Sequence, residues 1–531
     1  VFFTGRSSTL PVSTSSAIYL VEIRKETTMA HVLDPGPKQL NGVEFDTNVN
    51  YLARGARQQP HAPALTIGDV TLTRLELDRL SNQWAHVLAD RGVVLGDLVT
   101  IAFGNTIEFV AATIAAWKLG AVPQPVSSKL PTLERQAIVE LANSRIVLGA
   151  DENDHPDRPC LAPSFRPAAT VSTEALPDAL SPISKAPTSG GSTGRPKLIL
   201  SGMPAITMPT VLRDVLGMEP DDTQLVCGPL YHNAPFGQAL NGLILGQHVI
   251  VQPRFDEVDA LHKIQQHRVT WLQVVPTMML RMLRVIDEQP AGTFDLSSVR
   301  EMWHMAAPCP EWLKVRWIDL LGDRLIELYG GTEVISLTRI TGQDWLAHRG
   351  SVGRPVTGHM CVLDEDGQPV EPGVVGEIYM RPDDGAPPTY EYLGATAKRV
   401  GEWESLGDLG WIDADGYVYV NDRRTDMIVS GGANIYPAEV EAAIDAYPAV
   451  LSCVVVGVPD DSLGKRVHAV VHTSRPTTAE ELLQHLSTRL VRYKIPRTIE
   501  FSDTPVRDDA GKVRRSAVSD AVAQREAGSD V

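Results

Sequence analysis

The chain has 531 residues, 43% apolar and 21% charged, the balance of an ordinary globular protein with room for roughly two to four domains. Its formal net charge of −17 argues against nucleic acid or an anionic membrane surface as a general partner, so an anionic substrate would need a local basic pocket. The five cysteines (Cys160, Cys227, Cys309, Cys361, Cys453) are odd in number and never spaced Cys-x-x-Cys, which argues against a disulfide framework or a zinc site and fits a reducing cytoplasm.

Residues 1–28 precede the first methionine, Met29, and carry only a short apolar piece at 17–21; they read as a disordered leader or an extension foreign to the protein. No window has the unbroken apolar length of a membrane span. Residues 109–122 come nearest and contain Lys118. From Val43 helix and strand patterns alternate: a helix over 73–88 stopped by Gly92, a buried strand over 98–103, a helix over 107–119 ended by Gly120, and a strand from Val122. Such alternation predicts a parallel sheet covered by helices. Residues 151–187, rich in Pro, Asp and Ser, read as a surface connection.

That connection leads to Thr188-Ser-Gly-Gly-Ser-Thr-Gly-Arg-Pro-Lys197, where glycines free the backbone to approach a ligand while hydroxyls, Arg195 and Lys197 suit a polyanion. It is not the common nucleotide loop, which needs Lys directly after its last glycine. A Gly/Ser run can equally be a linker, but the apolar 198–200 that follows makes this one a turn between ordered elements. Strands are expected at 248–251, 271–275, 302–306 and 325–328, fed by helices such as 258–267 and 312–321. Their ends carry His232, Ala306-Ala307-Pro308 and Tyr329-Gly-Gly-Thr-Glu333, and ligands gather at such ends. Short β pieces with turn signals mark a β-rich subdomain at about 350–420. A charged stretch at 422–426 precedes a small α+β module with a helix starting at Pro437, and the chain's last motif is Gly511-Lys512.

The loop, Tyr329-Gly-Gly-Thr-Glu333, Gly407-Asp408-Leu-Gly410 with Asp422-Arg423, and Gly511-Lys512 occur in an order and spacing that closely resemble the adenylate-forming superfamily of acyl-CoA synthetases, peptide-synthetase adenylation domains and luciferases. The resemblance covers about 43–519. The expected fold class is α/β: a large body of parallel α/β sheets with the β-rich subdomain (29–422), then a small mobile α+β C-terminal domain (423–531). It implies an acid–CoA ligase that joins a carboxylic acid to AMP from ATP, releases pyrophosphate and transfers the acyl group to coenzyme A. By resemblance, Ser189, Gly190, Gly191, Ser192, Thr193, Gly194 and Lys197 would hold the phosphates. Glu333 would hold Mg²⁺, Thr332 the α-phosphate side, and Tyr329, Asp408 and Arg423 the nucleoside. Lys512 would bridge the carboxylate and α-phosphate, and rotation about Thr425, where the family usually has Asp or Lys, would bring Gly431 and Gly432 to the thiol arm. His232, Phe236, Ala306, Gly330 and Gly331 would line the acyl pocket, with His232 near the thiol entrance.

No acidic side chain follows His232 to meet an amino group, and no charged residue is evident to close the pocket. With the small residues Ala306, Ala307, Gly330 and Gly331, a sizeable apolar acid is therefore expected; the Ser189-Gly-Gly-Ser-Thr193 version of the loop resembles that of ligases for terpenoid or bile-acid-like acids, with aryl and fatty acids open. Loading of a carrier protein in trans is the alternative to coenzyme A.

Overall fold

The computed structural model describes residues 38–40, 43–190, 196–430, 433–460, 462–508 and 511–529. The expected leader, 1–28, lies outside them. The alternating pattern closes into two sheets. In the smaller, four parallel strands stand in the order Val122–Pro125, Leu98–Ile101, Ile146–Leu148 and Cys160–Leu161. In the larger, Pro63–Ile67, His248–Val251, Thr223–Val226, Trp271–Val274, Glu301–His304 and Leu325–Tyr329 run parallel side by side. Val-, Ile- and Leu-rich runs suit strands covered on both faces.

The apolar stretch at 109–122 becomes the core helix Ile107–Lys118, buried from Glu108 to Lys118. Its lysine is satisfied inside: Lys118 Nζ lies 2.7 Å from Asp78 Oδ1 and also donates to Asn82 Oδ1. The neighbouring helix Arg74–Asp90 begins at a capping box in which Thr73 and Glu76 bond each other's backbone N–H, one residue from the expected start. Trp84, Phe109 and Phe236 fill the space between the sheets. No helix among the described residues is long and apolar enough to cross a membrane.

The β-rich stretch does not stand apart. Leu337–Thr341 pairs antiparallel with Leu325–Tyr329, and through Ser351–Thr357 the strands Val418–Arg423, Trp403–Ile412, Gly376–Arg381 and His359–Leu363 continue the same sheet. Beyond it, Val450–Asp460, Gly464–Thr473 and Thr498–Ser502 form a separate three-stranded sheet with the helices Pro437–Asp445 and Arg515–Ser529 packed on it.

A buried ion pair sits where the last two parallel strands meet the helix Glu311–Leu321. Lys314, 4% exposed, contacts Glu327, 6% exposed, and His304 Nδ1 is 3.9 Å from the same carboxylate. Burial and the Lys314 charge hold His304 well below the ordinary histidine pKa, so its imidazole adds no second cation beside Glu327. Lys314→Ala leaves Glu327 buried without its cation and is expected to lower the stability of the body by about 3–5 kcal/mol. The double change Lys314→Met with Glu327→Leu should restore most of it, read from denaturant midpoints.

Candidate functional site

Four parallel strands of the larger sheet, Thr223–Val226, Trp271–Val274, Glu301–His304 and Leu325–Tyr329, deliver their C-terminal ends to one cleft of about 2030 Å³, well above the roughly 300–1,000 Å³ of a usual small-molecule pocket. It has room for a nucleotide, an acid and an extended thiol. The loop strands Thr188–Gly190 and Pro196–Ser201 pair antiparallel, with Lys197 opposite Ser189. Gly191, Ser192, Thr193 and Gly194 lie outside the described residues, as do Gly431 and Gly432; of Ser189 and Gly190 only the strand pairing is described.

Glu333, 6% exposed, is the carboxylate beside the loop strands. Lys197 Nζ lies 3.5 Å from its Oε1, Tyr392 Oη makes a short hydrogen bond to the same oxygen, and Thr389 Oγ1 donates to its backbone carbonyl at 2.7 Å. Tyr392 stands on Tyr390–Leu393, paired with the loop's second strand, and the Lys197 ammonium sits 4.0 Å over its ring. Burial lowers the Lys197 pKa, and Glu333 opposes that shift.

The other carboxylate end is built by a cross-strand pair. Asp408 and Arg423 are direct partners on Trp403–Ile412 and Val418–Arg423, with Arg423 Nε 3.5 Å from Asp408 Oδ1. Tyr329, at the end of its strand, donates its hydroxyl to Asp408 Oδ2 at 2.7 Å, and burial plus that carboxylate raise the phenol's pKa far above its usual value. An Asp–Arg–Tyr cluster of this kind offers acceptors and donors to a sugar's hydroxyls.

Lys512 reaches the same cleft from the chain's end. Gly511, at φ +73°, turns so closely against the body that a Cβ there would lie 3.0 Å from Thr277 Oγ1. Asp508 clamps the turn: its carboxylate accepts from the Lys512 N–H at 2.8 Å, and Oδ2 approaches His232 Nε2 to 3.6 Å. The Lys512 side chain is open to the cleft, but protein around the ammonium lowers its pKa; Asp508 and Glu333 oppose the shift and Arg423 adds to it. His232 is likewise lowered, mainly by burial and further by Lys512, against the pull of Asp508. Next along the chain, Arg514 forks onto Glu134 of the body.

Two non-glycine residues with left-handed backbone stand here, Ala306 at φ +73° and Val334 at φ +51°. The other two, Asn143 and Arg268, are ordinary helix C-caps. Strain of this type in a β-branched residue persists where the surroundings dictate it, as beside ligand sites.

Several expectations change. Phe236 does not line the cleft: at 1% exposure it packs edge-on against Phe109, while Ala234, Gly237, Gln238 and Asn241 of the helix Asn233–Leu245 face the opening. Gly330 and Gly331 line it, and added side chains would collide with its own walls, Gly330's with Leu337 at 2.4 Å and Gly331's with Leu406 at 2.5 Å. Trp303 and His304, on the strand just before Ala306, are core. Ala306 and Thr332 do face the cleft, and Thr425 lies in the turn after the Val418–Arg423 strand, its hydroxyl bonded to Asp426. Sequence reading missed Tyr392, Asp508 and Lys185. Only Asp508, beside the Gly511-Lys512 motif, carried any signal.

Residues 52–387 match the family model of the AMP-binding enzyme, and 439–512 match that of the AMP-binding enzyme C-terminal domain. The chain belongs to the AMP-binding enzyme family. Within it, the chain is 32% identical over 483 residues to a feruloyl-CoA synthase of Amycolatopsis sp., spanning 88% of this chain and 97% of that one. It is 30% identical over 482 residues to the 2-succinylbenzoate–CoA ligase of Bacillus subtilis, covering 89% and 98%. Among solved structures, the o-succinylbenzoate CoA synthetase of B. subtilis in complex with its acyl-adenylate intermediate superposes with a TM-score of 0.73 at 28% identity, over 89% of this chain and 98% of that one. The same synthetase with ATP and a magnesium ion gives 0.72 at 29% identity, over 89% and 99%.

For an AMP-binding enzyme with this geometry, the Tyr329–Asp408 contact is open to a direct test. Tyr329→Phe removes one bond to a carboxylate, a change of about 1.5 kcal/mol. The free protein should lose stability by about that amount, read from its denaturant midpoint, and AMP should bind more weakly by titration calorimetry.

Proposed function

We propose that this chain is an ATP-dependent acid–CoA ligase acting in two half-reactions. A substrate carboxylate oxygen bonds to the α-phosphorus of ATP and the bond to pyrophosphate breaks. The thiol sulfur of coenzyme A then bonds to the acyl carbon, AMP leaves on its phosphate oxygen, and the thiol proton passes to a base or to water. The observation that carries this reading is Lys512: a residue near the chain's end is held in the cleft beside Glu333, Arg423 and His232.

In the first step two anions must come within bonding distance. A fixed ammonium offsets that repulsion most where the charges crowd together, in the transition state. Lys197 and the loop around it hold the β- and γ-phosphates, and Asp408, Arg423 and Tyr329 hold the nucleoside. Glu333 fits a magnesium site, since Mg²⁺ takes one or two carboxylates and fills its shell with phosphate oxygens and water. The bound metal would offset phosphate charge.

For the second step, residues 423–531 rotate against 29–422 about Thr425. Lys512 and Asp508 leave together, so His232 loses the carboxylate facing Nε2. A largely neutral imidazole is then free to take the thiol proton, and Gly431 and Gly432 leave space for the thiol arm. Coenzyme A rather than a carrier protein is favoured by relatives that are CoA ligases over nearly their whole length. The size of the cleft and the small residues Ala306 and Ala307 favour a bulky acid of aryl, polycyclic or long-chain type.

Lys512→Ala is expected to slow acyl-adenylate formation about a hundred- to thousandfold. Given preformed acyl-adenylate, the same variant should make the CoA thioester at near wild-type rate, because Lys512 has left by then. Pyrophosphate release and thioester formation, followed separately, decide it: a variant that adenylates normally, or one equally slowed in both steps, refutes the assignment.

A further inference from the structure

Lys185 also lines the cleft, away from the phosphates. It lies four residues before Ser189 on extended chain, its carbonyl accepting from Ser201 N at 3.0 Å, which puts it roughly 13 Å from the loop. The preceding carbonyl, that of Ser184, accepts from the Trp117 indole at 2.8 Å, so the backbone here is held by the core. The ammonium points at the helix Asn233–Leu245. It is 5.9 Å from the Phe236 ring centroid and would lie 3.4 Å from a Cβ on Gly237, so the missing side chain at 237 leaves the space it occupies.

Other enclosed lysines have a carboxylate: Lys118 has Asp78, Lys314 has Glu327, and Lys197 has Glu333. Lys185 faces none among the described residues, and residues 189–195 contain no Asp or Glu. Burial alone pushes its pKa down to about 8, with no acidic group pulling it back. Below that value it remains a cation, and a cation enclosed without a counter-charge is costly unless a ligand supplies one. An apolar tail would leave it uncompensated. This departs from the expectation that no charged residue closes the acyl pocket.

His232 caps the start of the same helix, five residues before Gly237. We propose that Lys185 is a specificity-determining residue that pairs with a second carboxylate of the acid substrate, carried roughly 7–8 Å from the reacting one, the helical rise between His232 and Gly237. Asn241, one turn beyond Gly237 on the cleft face, is placed to hydrogen-bond that carboxylate's other oxygen. The substrate is then a bulky acid with a polar anionic far end rather than a wholly apolar one. This rests on the acid-ligase reading.

The test uses the full chain and four matched acids on one aromatic skeleton, whose distal substituent is carboxylate, carboxamide, hydroxyl or methyl. Pyrophosphate release should favour the diacid over its methyl partner at least tenfold in kcat/KM. Lys185→Met should lower the diacid's kcat/KM about a hundredfold, mostly through KM, and leave the methyl acid unchanged or improved. Lys185→Arg should keep the preference. A wild-type enzyme that prefers the methyl or hydroxyl acid, or a Lys185→Met variant that loses all four acids alike, overturns the proposal. Calorimetric titration of the same acids in the presence of AMP reads the preference without turnover. A charge-dependent binding preference with no pyrophosphate release from any acid refutes the ligase reading and leaves the Lys185 pairing standing; release without that preference does the reverse.

Discussion

The site depends on concentrating positive charge where a strongly acidic molecule has to receive anions. Lys197, Arg423 and Lys512 come from segments more than two hundred residues apart in the extreme case, and around each of them stands a carboxylate: Glu333, Asp408 and Asp508. Burial lowers the pKa of Lys197 and Lys512, and the carboxylates beside them oppose that shift. Paired, the cations are held in place before any ligand arrives, which is the condition for electrostatic catalysis without reorganisation at the moment of reaction. An incoming polyanion competes with the carboxylates instead of having to create the charge.

What places these groups is the parallel sheet. Strands that run the same way end on the same edge, so Tyr329 through Glu333, Ala306 and the segment before His232 meet without any side chain having to span the core. The antiparallel continuation beyond Leu337–Thr341 adds Asp408 and Arg423 to that edge as cross-strand neighbours. Because the β-rich stretch is hydrogen-bonded into the sheet, the distance between the Glu333 end and the Asp408 end is set by strand spacing rather than by a flexible joint. The strained backbone at Ala306 and Val334 is the local cost of turning off those strands abruptly.

Much of this was legible in the residue pattern, because helix and strand periodicities of the parallel layer are strong: His248–Val251 falls where the alternation put it, and the strands at Glu301–His304 and Leu325–Tyr329 shift by only one or two residues. The pairing of Asp408 with Arg423 explains the spacing of two motifs that look independent in one dimension. Phe236 was misplaced because a helix start near a pocket has one face in the core, and five residues of sequence do not tell which. Lys185 was invisible for a different reason. Its meaning lies in what is absent around it, a counter-charge, and absence of a partner is a three-dimensional property.

The contacts that hold the terminal segment in the cleft also differ in kind from those that hold it together. Within it, Arg515 bonds both Asp426 and Glu441, and Arg507 bonds Glu441 and the Gly511 carbonyl, a half-buried network that keeps the turn rigid. Across to the body Arg284 faces Asp445 and Asp422 faces Arg515 through longer-range attraction, while the ion pairs include Arg514 with Glu134, the arginine largely exposed, and Asp508 with His232 at 3.6 Å, longer than a hydrogen bond. Exposed pairs of that kind contribute roughly 0–1 kcal/mol and weaken with salt. Asp422, whose carboxylate accepts from Ala438 N at 3.0 Å, is more deeply held, but it lies three residues from Thr425, where the proposed rotation would displace atoms least. A segment that is stiff inside and lightly held outside can leave as a unit, and its departure then costs little while carrying Lys512 and Asp508 away in one movement.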